Sequence, residues 1–283
     1  YVRSPFTHAN NGELASTRAD EIMAQTVRGL IKKTGVNPQL IEDLKLGCAM
    51  PEGEQGLNLA RNVVLHAELP IHIGGVTLNR FCGSSMQAIH DAAGAIAMGM
   101  ADAVIAAGVE SMTRVPMGGF NPLINPDLYK KNPAAYMGMG ETAENVADRF
   151  KVTREEQDAF ALRSQFKAAA AKKAGKFAAE IVPIKTAKGV VKEDGCPRPD
   201  SNAEGLAKLK PAFAAKGSVT AATSSPVTDG AAAVLVCSEE FAKQHGLPIL
   251  AEVASFAVAG CAPDIMGMGP VEASLRALDK AGL

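Results

Sequence analysis

The chain has 283 residues, 47% of them apolar, and a formal net charge of −1. Such a length supports a large core and exceeds a usual single domain, so two domains or one large one are expected. The near-neutral balance leaves no footprint for nucleic acid or an anionic membrane surface as the main partner, and no apolar run approaches the ~20 residues that span a bilayer. Five cysteines in an odd, unpaired pattern argue against a disulfide framework, and no Cys/His cluster has zinc-finger spacing. A reducing, cytoplasmic setting without a metal site is the expectation. The chain opens at Tyr1 with neither an initiator methionine nor a charged-then-apolar leader, which reads as a processed or trimmed N-terminus whose first element is missing.

A helical pattern over 14–34 carries Ile22, Met23, Val27, Leu30 and Ile31 and closes at Gly35 as a C-cap. Residues 43–48 read as a strand entry. A second helix over 57–67 leads to a strand at Val76–Leu78, and a helix then runs to about Met100. Residues 104–108 read as a buried strand with Gly108-Val109-Glu110-Ser111-Met112 as its exit loop. This alternation predicts an α/β fold with a mainly parallel sheet under helices and its site at the strand ends.

From Pro116 the pattern becomes irregular, rich in Pro, Gly, Asn and Met, with helices starting near Thr142 and Thr153 and a polar loop over 185–201. Residues 229–236 and 249–258 read as strands, and 270–283 as an amphipathic helix with Val271, Leu275 and Leu278 inward and Gly282 as its cap. The expected division is a core of 1–115 and 227–248, an inserted domain over 116–226, and the start of a further, truncated domain at 249–283. Residues 116–226 hold 17 Lys plus Arg against 12 Asp plus Glu, so the insertion is the basic part of an otherwise acidic chain. A solvated basic face accounts for this as well as a surface that draws a phosphate-bearing ligand.

Between the strand at Val76–Leu78 and the next helix stands Cys82, followed by Gly83, Ser84 and Ser85. Partial positive charge and unpaired N–H groups at a helix start favour the nucleophilic thiolate. Small neighbours let a carbonyl approach and leave N–H donors to face developing oxyanion charge, which makes Cys82 a candidate nucleophile. A buried apolar cysteine is the plain alternative. His90 lies eight residues further on, about 12 Å along a helix, too far to act as its base. Cys48 and Cys237 sit in apolar strand-like runs, Cys196 in a polar loop, and Cys261 after Gly260 at a strand end.

Taken together, Asn79-Arg80-Phe81-Cys82-Gly83-Ser84-Ser85-Met86-Gln87-Ala88, Gly108-Val109-Glu110-Ser111-Met112, Thr142-Ala143-Glu144-Asn145, Ala207-Lys208-Leu209-Lys210-Pro211-Ala212-Phe213, Thr223-Ser224-Ser225-Pro226-Val227-Thr228-Asp229-Gly230 and Gly260-Cys261-Ala262-Pro263-Asp264 occur in the order of one family. The chain resembles the thiolases, above all the degradative 3-ketoacyl-CoA thiolases of fatty-acid β-oxidation. The resemblance implies a layered α-β-α-β-α fold with its N-terminal half and loop domain complete and its C-terminal half a stub. It implies an acyltransferase that cleaves 3-ketoacyl-CoA with coenzyme A as co-substrate and Cys82 as the acylated cysteine. Ser225 matches the position facing the pantetheine of CoA, Met139 one lining the pantetheine and acyl pocket, and Lys210 one near the CoA nucleotide where relatives carry arginine. Gly138 stands where some relatives have a histidine, so no contact is carried over there.

A homodimer or homotetramer, with a hydratase/dehydrogenase subunit as a further partner, is implied in the same way. The family's Gly-His-Pro, Cys-x-Gly and Asn-Glu-Ala-Phe motifs do not occur in these residues, so this polypeptide alone is expected to turn over poorly. An acetoacetyl-CoA thiolase is the rival enzyme reading, and a non-catalytic CoA-binding scaffold the rival of another class.

Overall fold

The computed structural model describes residues 1–283. The contacts gather into two compact units, Tyr1–Pro122 with Phe177–Cys196 and Val227–Glu252, and Leu123–Lys176 with Pro197–Pro226 and Val253–Leu283. This division runs along different lines from the expected insertion, because residues 177–196 fold with the first unit and 253–283 with the second.

The first unit contains, in chain order, β1 (Val2–Arg3), β2 (Thr7–His8), α1 (Ala19–Thr34), β3 (Asp43–Gly47), α2 (Leu59–His66), β4 (Val76–Leu78), α3 (Ser84–Ala97), β5 (Ala103–Ser111), β6 (Ile184–Thr186), β7 (Gly189–Val191) and β8 (Thr228–Cys237), followed by a short helix over Glu239–Gln244. The main sheet has the order β1-β8-β5-β3-β4, with β2 also on β8. β3 runs parallel to β4 and β5, whereas β8 is antiparallel to β5, β1 and β2. The sheet is therefore mixed, not mainly parallel. Helical crossovers enforce parallel pairing around β3, but the chain leaves β5 on a long excursion and can re-enter the sheet in either direction.

Side chains alternate across this sheet as the strand period of two requires. Ala103, Ile105, Ala107 and Val109 join Leu44, Leu46 and the Ile22, Met23, Val27 and Leu30 face of α1 in one cluster. Val104 and Ala106 face the other way, with Ala88 and Ala92 of α3. Bulky aliphatics thus fill one face, and alanines let α3 lie close on the other. The first helix starts at Ala19, not residue 14: Leu14 is fully buried but sits in a turn where its carbonyl accepts from Thr17 N–H at 2.8 Å. Its burial, supplied by a turn, mimics helical periodicity. β5 continues to Ser111 because Glu110 and Ser111 stay paired with Gly230 and Asp229 of β8, so the expected exit loop is strand. The expected polar loop over 185–201 contains the β6–β7 hairpin.

The second unit is mainly helical: α4 (Pro126–Lys131), α5 (Met139–Arg149), α6 (Arg154–Lys173), α7 (Ala203–Ala207) and a C-terminal helix, Gly269–Ala281, that ends at left-handed Gly282. Thr153 caps α6 through its hydroxyl, with Glu156 returning the bond in a capping box. Two expectations fail here. Residues 249–258 form no strand, since no other strand of the chain lies alongside to complete a ladder. Val271, Leu275 and Leu278 are 49%, 58% and 46% exposed, so the apolar stripe of the last helix does not point inward.

Candidate active site

Cys82 is exposed on the turn joining β4 to α3, at the end of the sheet where the parallel strands finish. The turn is tightly wired. Asn79 Oδ1 accepts from Phe81 N–H at 2.7 Å, and Asn79 Nδ2 donates to Ala49 O at 2.9 Å. Ser84, only 3% exposed, donates through Oγ to Phe81 O at 2.6 Å and accepts from Arg80 N–H at 2.8 Å. Gly83 N–H donates to Arg80 O and Ser84 N–H to Phe81 O, each at 3.0 Å. The expectation that these amides stand open toward an oxyanion therefore fails for Gly83 and Ser84, because closing the turn engages both.

Phe81, immediately before Cys82, has φ of 45°, in the left-handed region that a bulky residue rarely enters. Beneath the turn, Gly47 of β3 and Gly108 of β5 are register partners. A Cβ on Gly47 would lie 2.3 Å from the Ser84 carbonyl carbon and 2.4 Å from Ser85 N, and one on Gly108 would lie 2.5 Å from Ser85 Cβ. Two adjacent strands thus need glycine for the first turn of α3 to rest on the sheet.

The carboxylates of the neighbouring motifs brace this platform. Glu110 accepts from Ala49 N–H at 2.7 Å, Met50 N–H at 3.2 Å and Gln55 Nε2 at 2.8 Å, holding the loop to which Asn79 is tied. Buried Asp229 accepts from Ser111 Oγ at 3.1 Å and from Thr113 N–H at 3.0 Å and Oγ1 at 2.5 Å, fixing the chain as it leaves β5. Cys48 is buried beside Glu110, and burial first, then the carboxylate, push its thiol far above the ordinary cysteine value. Cys237, the last residue of β8, is raised by burial as well. Burial lowers the His90 imidazole on α3, and Arg80 adds to the shift.

Ser225, Met139 and Lys210 all lie in the second unit. Met139 opens α5 and is 44% exposed, and Ser225 and Lys210 are exposed on loops. α5 organises these segments. Its Glu144 accepts from Ser218 N–H and Val219 N–H, both at 2.9 Å, and the Phe213 ring lies against Gly140. Val219 O in turn accepts from Ala212 N–H at 2.9 Å, two residues after Lys210. Thr220 O accepts from Ser224 Oγ at 2.8 Å, next to Ser225. Met139 and the loops carrying Lys210 and Ser225 are thereby joined through one helix. Sequence reasoning named the three candidates but missed Glu144 as their anchor, and it missed Asn79, Ser84 and the Gly47/Gly108 pair.

Comparison with known proteins bears on this arrangement. Residues 1–240 match the model of the thiolase N-terminal domain. The chain is 45% identical over 295 residues to a 3-ketoacyl-CoA thiolase of Bacillus subtilis, covering all of this chain and 75% of that protein. It is 47% identical over 290 residues to one of Aliivibrio fischeri, covering all of this chain and 74% of that protein. The crystal structure of human mitochondrial 3-ketoacyl-CoA thiolase in complex with CoA superposes with a TM-score of 0.88 at 34% identity, over the whole of this chain and 74% of that one. That of the Bacillus anthracis acetyl-CoA acetyltransferase gives 0.89 at 37% identity, over 99% of this chain and 75% of that one.

Proposed function

The chain belongs to the thiolase family, and from that premise we propose that it cleaves 3-ketoacyl-CoA by thiolysis with Cys82 as the acyl-carrying nucleophile. The observation that carries the assignment is the exposed thiol of Cys82 on a turn fixed at the carboxyl ends of the parallel strands, with the other thiols of the first unit buried or half-buried. The Cys82 thiolate attacks the 3-keto carbon, the bond between C2 and C3 breaks, and the two-carbon fragment leaves as acetyl-CoA after taking up a proton. A second CoA thiol then attacks the thioester on Cys82, releasing the shortened acyl-CoA and the free cysteine. Splitting carbon–carbon cleavage into two transfers is what covalent catalysis contributes here.

Ser225 and Met139 are assigned to the pantetheine arm of CoA and Lys210 to its nucleotide. A lysine can meet a phosphate as a point charge but lacks the flat stacking surface of arginine. Proton transfers are not assigned to this chain, since the family's three acid/base and water-positioning motifs do not occur in its residues. The resemblance to degradative bacterial relatives supports a role in fatty-acid β-oxidation in the cytoplasm, assembly as a homodimer or homotetramer, and service beside a hydratase/dehydrogenase subunit. Iodoacetamide at neutral pH, followed by peptide mapping, tests the nucleophile. Cys82 should be alkylated far faster than Cys196, and equal rates would favour the scaffold reading. Assay of the full-length protein on 3-ketoacyl-CoA of increasing length should show cleavage beyond four carbons, whereas activity confined to acetoacetyl-CoA would favour the rival enzyme.

A further inference from the structure

We propose that Asn79 and Ser84 are positioning residues for Cys82, acting by holding Phe81 in its left-handed conformation; the inference rests on Cys82 being the nucleophile. A residue with a large side chain leaves the left-handed region unless its surroundings over-determine it. Phe81 gains no such hold from side-chain packing, being 64% exposed at φ of 45°. What holds it is hydrogen bonding on both sides of its own peptide units. Its N–H donates to Asn79 Oδ1 at 2.7 Å, and its carbonyl accepts from the Ser84 hydroxyl at 2.6 Å as well as from Ser84 N–H at 3.0 Å. Neither anchor is free to follow a moving turn. Asn79 is tied to Ala49 O, and Ala49 N–H is held by Glu110, while Ser84 is buried with its backbone against Gly47.

The rotation at Phe81 sets the direction in which the next residue leaves the turn, and the next residue is Cys82. If Phe81 relaxed to an ordinary negative φ, the Cys82 Cα–Cβ bond would swing away from its present direction while α3 stayed seated on the sheet. The two polar side chains thus convert a fixed platform into a fixed thiol. Glycine at 81 would occupy the same region without steric penalty, so it should need the anchors less. That dependence distinguishes positioning from general support of the fold.

The experiment, on the full-length protein, follows the rate of Cys82 alkylation by iodoacetamide, read by peptide mapping, and kcat and KM with a 3-ketoacyl-CoA, in wild type, Asn79→Ala, Ser84→Ala, Phe81→Gly and the doubles with Phe81→Gly. Each anchor variant should lose roughly tenfold or more in kcat, with KM little changed and a changed Cys82 alkylation rate, as expected for a reacting group out of line. Thermal melting checks that the fold survives. Measured against Phe81→Gly alone, adding Ser84→Ala or Asn79→Ala should cost much less than the same anchor change costs in wild type. Unchanged kcat in the anchor variants, or an anchor change that costs as much beside Phe81→Gly as in wild type, would overturn the proposal. Failure of wild-type Cys82 to outpace Cys196 would instead overturn the nucleophile assignment, so the two failures are told apart.

Discussion

The turn carrying Cys82 and the loops carrying Ser225 and Lys210 are built in different ways. The turn is seated on two strands with no room for a side chain on Gly47 or Gly108, and it is braced by the buried Ser84 hydroxyl. The loops are exposed segments gathered by one carboxylate, Glu144, on α5. On the proposed assignment, Cys82 attacks a carbonyl and needs its direction fixed, whereas Ser225 and Lys210, proposed to contact a long flexible cosubstrate, can act from segments with more freedom. The contrast teaches that damage to the first region should fall on chemistry and fold, and damage to the second on binding.

Gly47→Val tests this most severely. Its first added carbon meets backbone of Ser84 and Ser85 at 2.3 and 2.4 Å, so the start of α3 must lift from the sheet. Overpacking that forces backbone to shift costs about 1–3 kcal/mol, and occasionally more. We expect a lower thermal midpoint and a fall in kcat of more than about tenfold. Near-normal kcat in a folded Gly47→Val protein would mean that the seat of α3 does not control Cys82, and the comparison would fail.

Glu144→Ala probes the other side. It removes the acceptor of Ser218 N–H and Val219 N–H and leaves two amides to find water. The loss should be about 1–2 kcal/mol locally, with KM for CoA raised roughly threefold to tenfold and kcat within about twofold of wild type. A fall in kcat with KM unchanged would place these loops among the elements that direct the chemistry, and the two regions would no longer differ in kind.

What the sequence disclosed follows the range of the interactions involved. The strand, thiol and helix around Cys82 were readable because a short apolar run, a cluster of small residues and a helical period adjoin each other in the chain. Thr153 was readable as a helix start because a cap and its Glu156 partner lie three residues apart. Gly47 and Gly108 were not, since their requirement arises only when two strands 61 positions apart come into register under a third segment. The direction of β8 was hidden for the same reason: apolar composition is alike in parallel and antiparallel pairing. Residues 249–258 show the converse, a strand pattern that no neighbouring strand completes. For Ser225, Met139 and Lys210, family resemblance supplied the candidates, and only the fold showed α5 and Glu144 joining their segments.

The finest distinction between the two regions concerns protons. His90 on α3 has its imidazole lowered below the ordinary value of 6.5, by burial first and then by Arg80, against an opposing pull from Asp91. The unfolded chain therefore takes up this proton at a higher pH than the folded chain does. Within that window the unfolded state binds more protons, so the stability due to a neutral His90 is full above the unfolded value and declines as pH falls toward the folded one. His90→Gln removes the titration and should flatten the fall in thermal midpoint as pH drops below the ordinary imidazole value of 6.5, leaving the neutral-pH midpoint nearly unchanged. Because His90 shares its helix with the seat of Cys82, the acid-dependent loosening belongs to the first unit. After allowance for the slower intrinsic exchange in acid, protection against hydrogen exchange at the lower pH should fall more in α3 of wild type than in α5, and His90→Gln should remove that difference. Equal loss of protection in both helices would instead assign the acid response to the carboxylates spread over the whole chain.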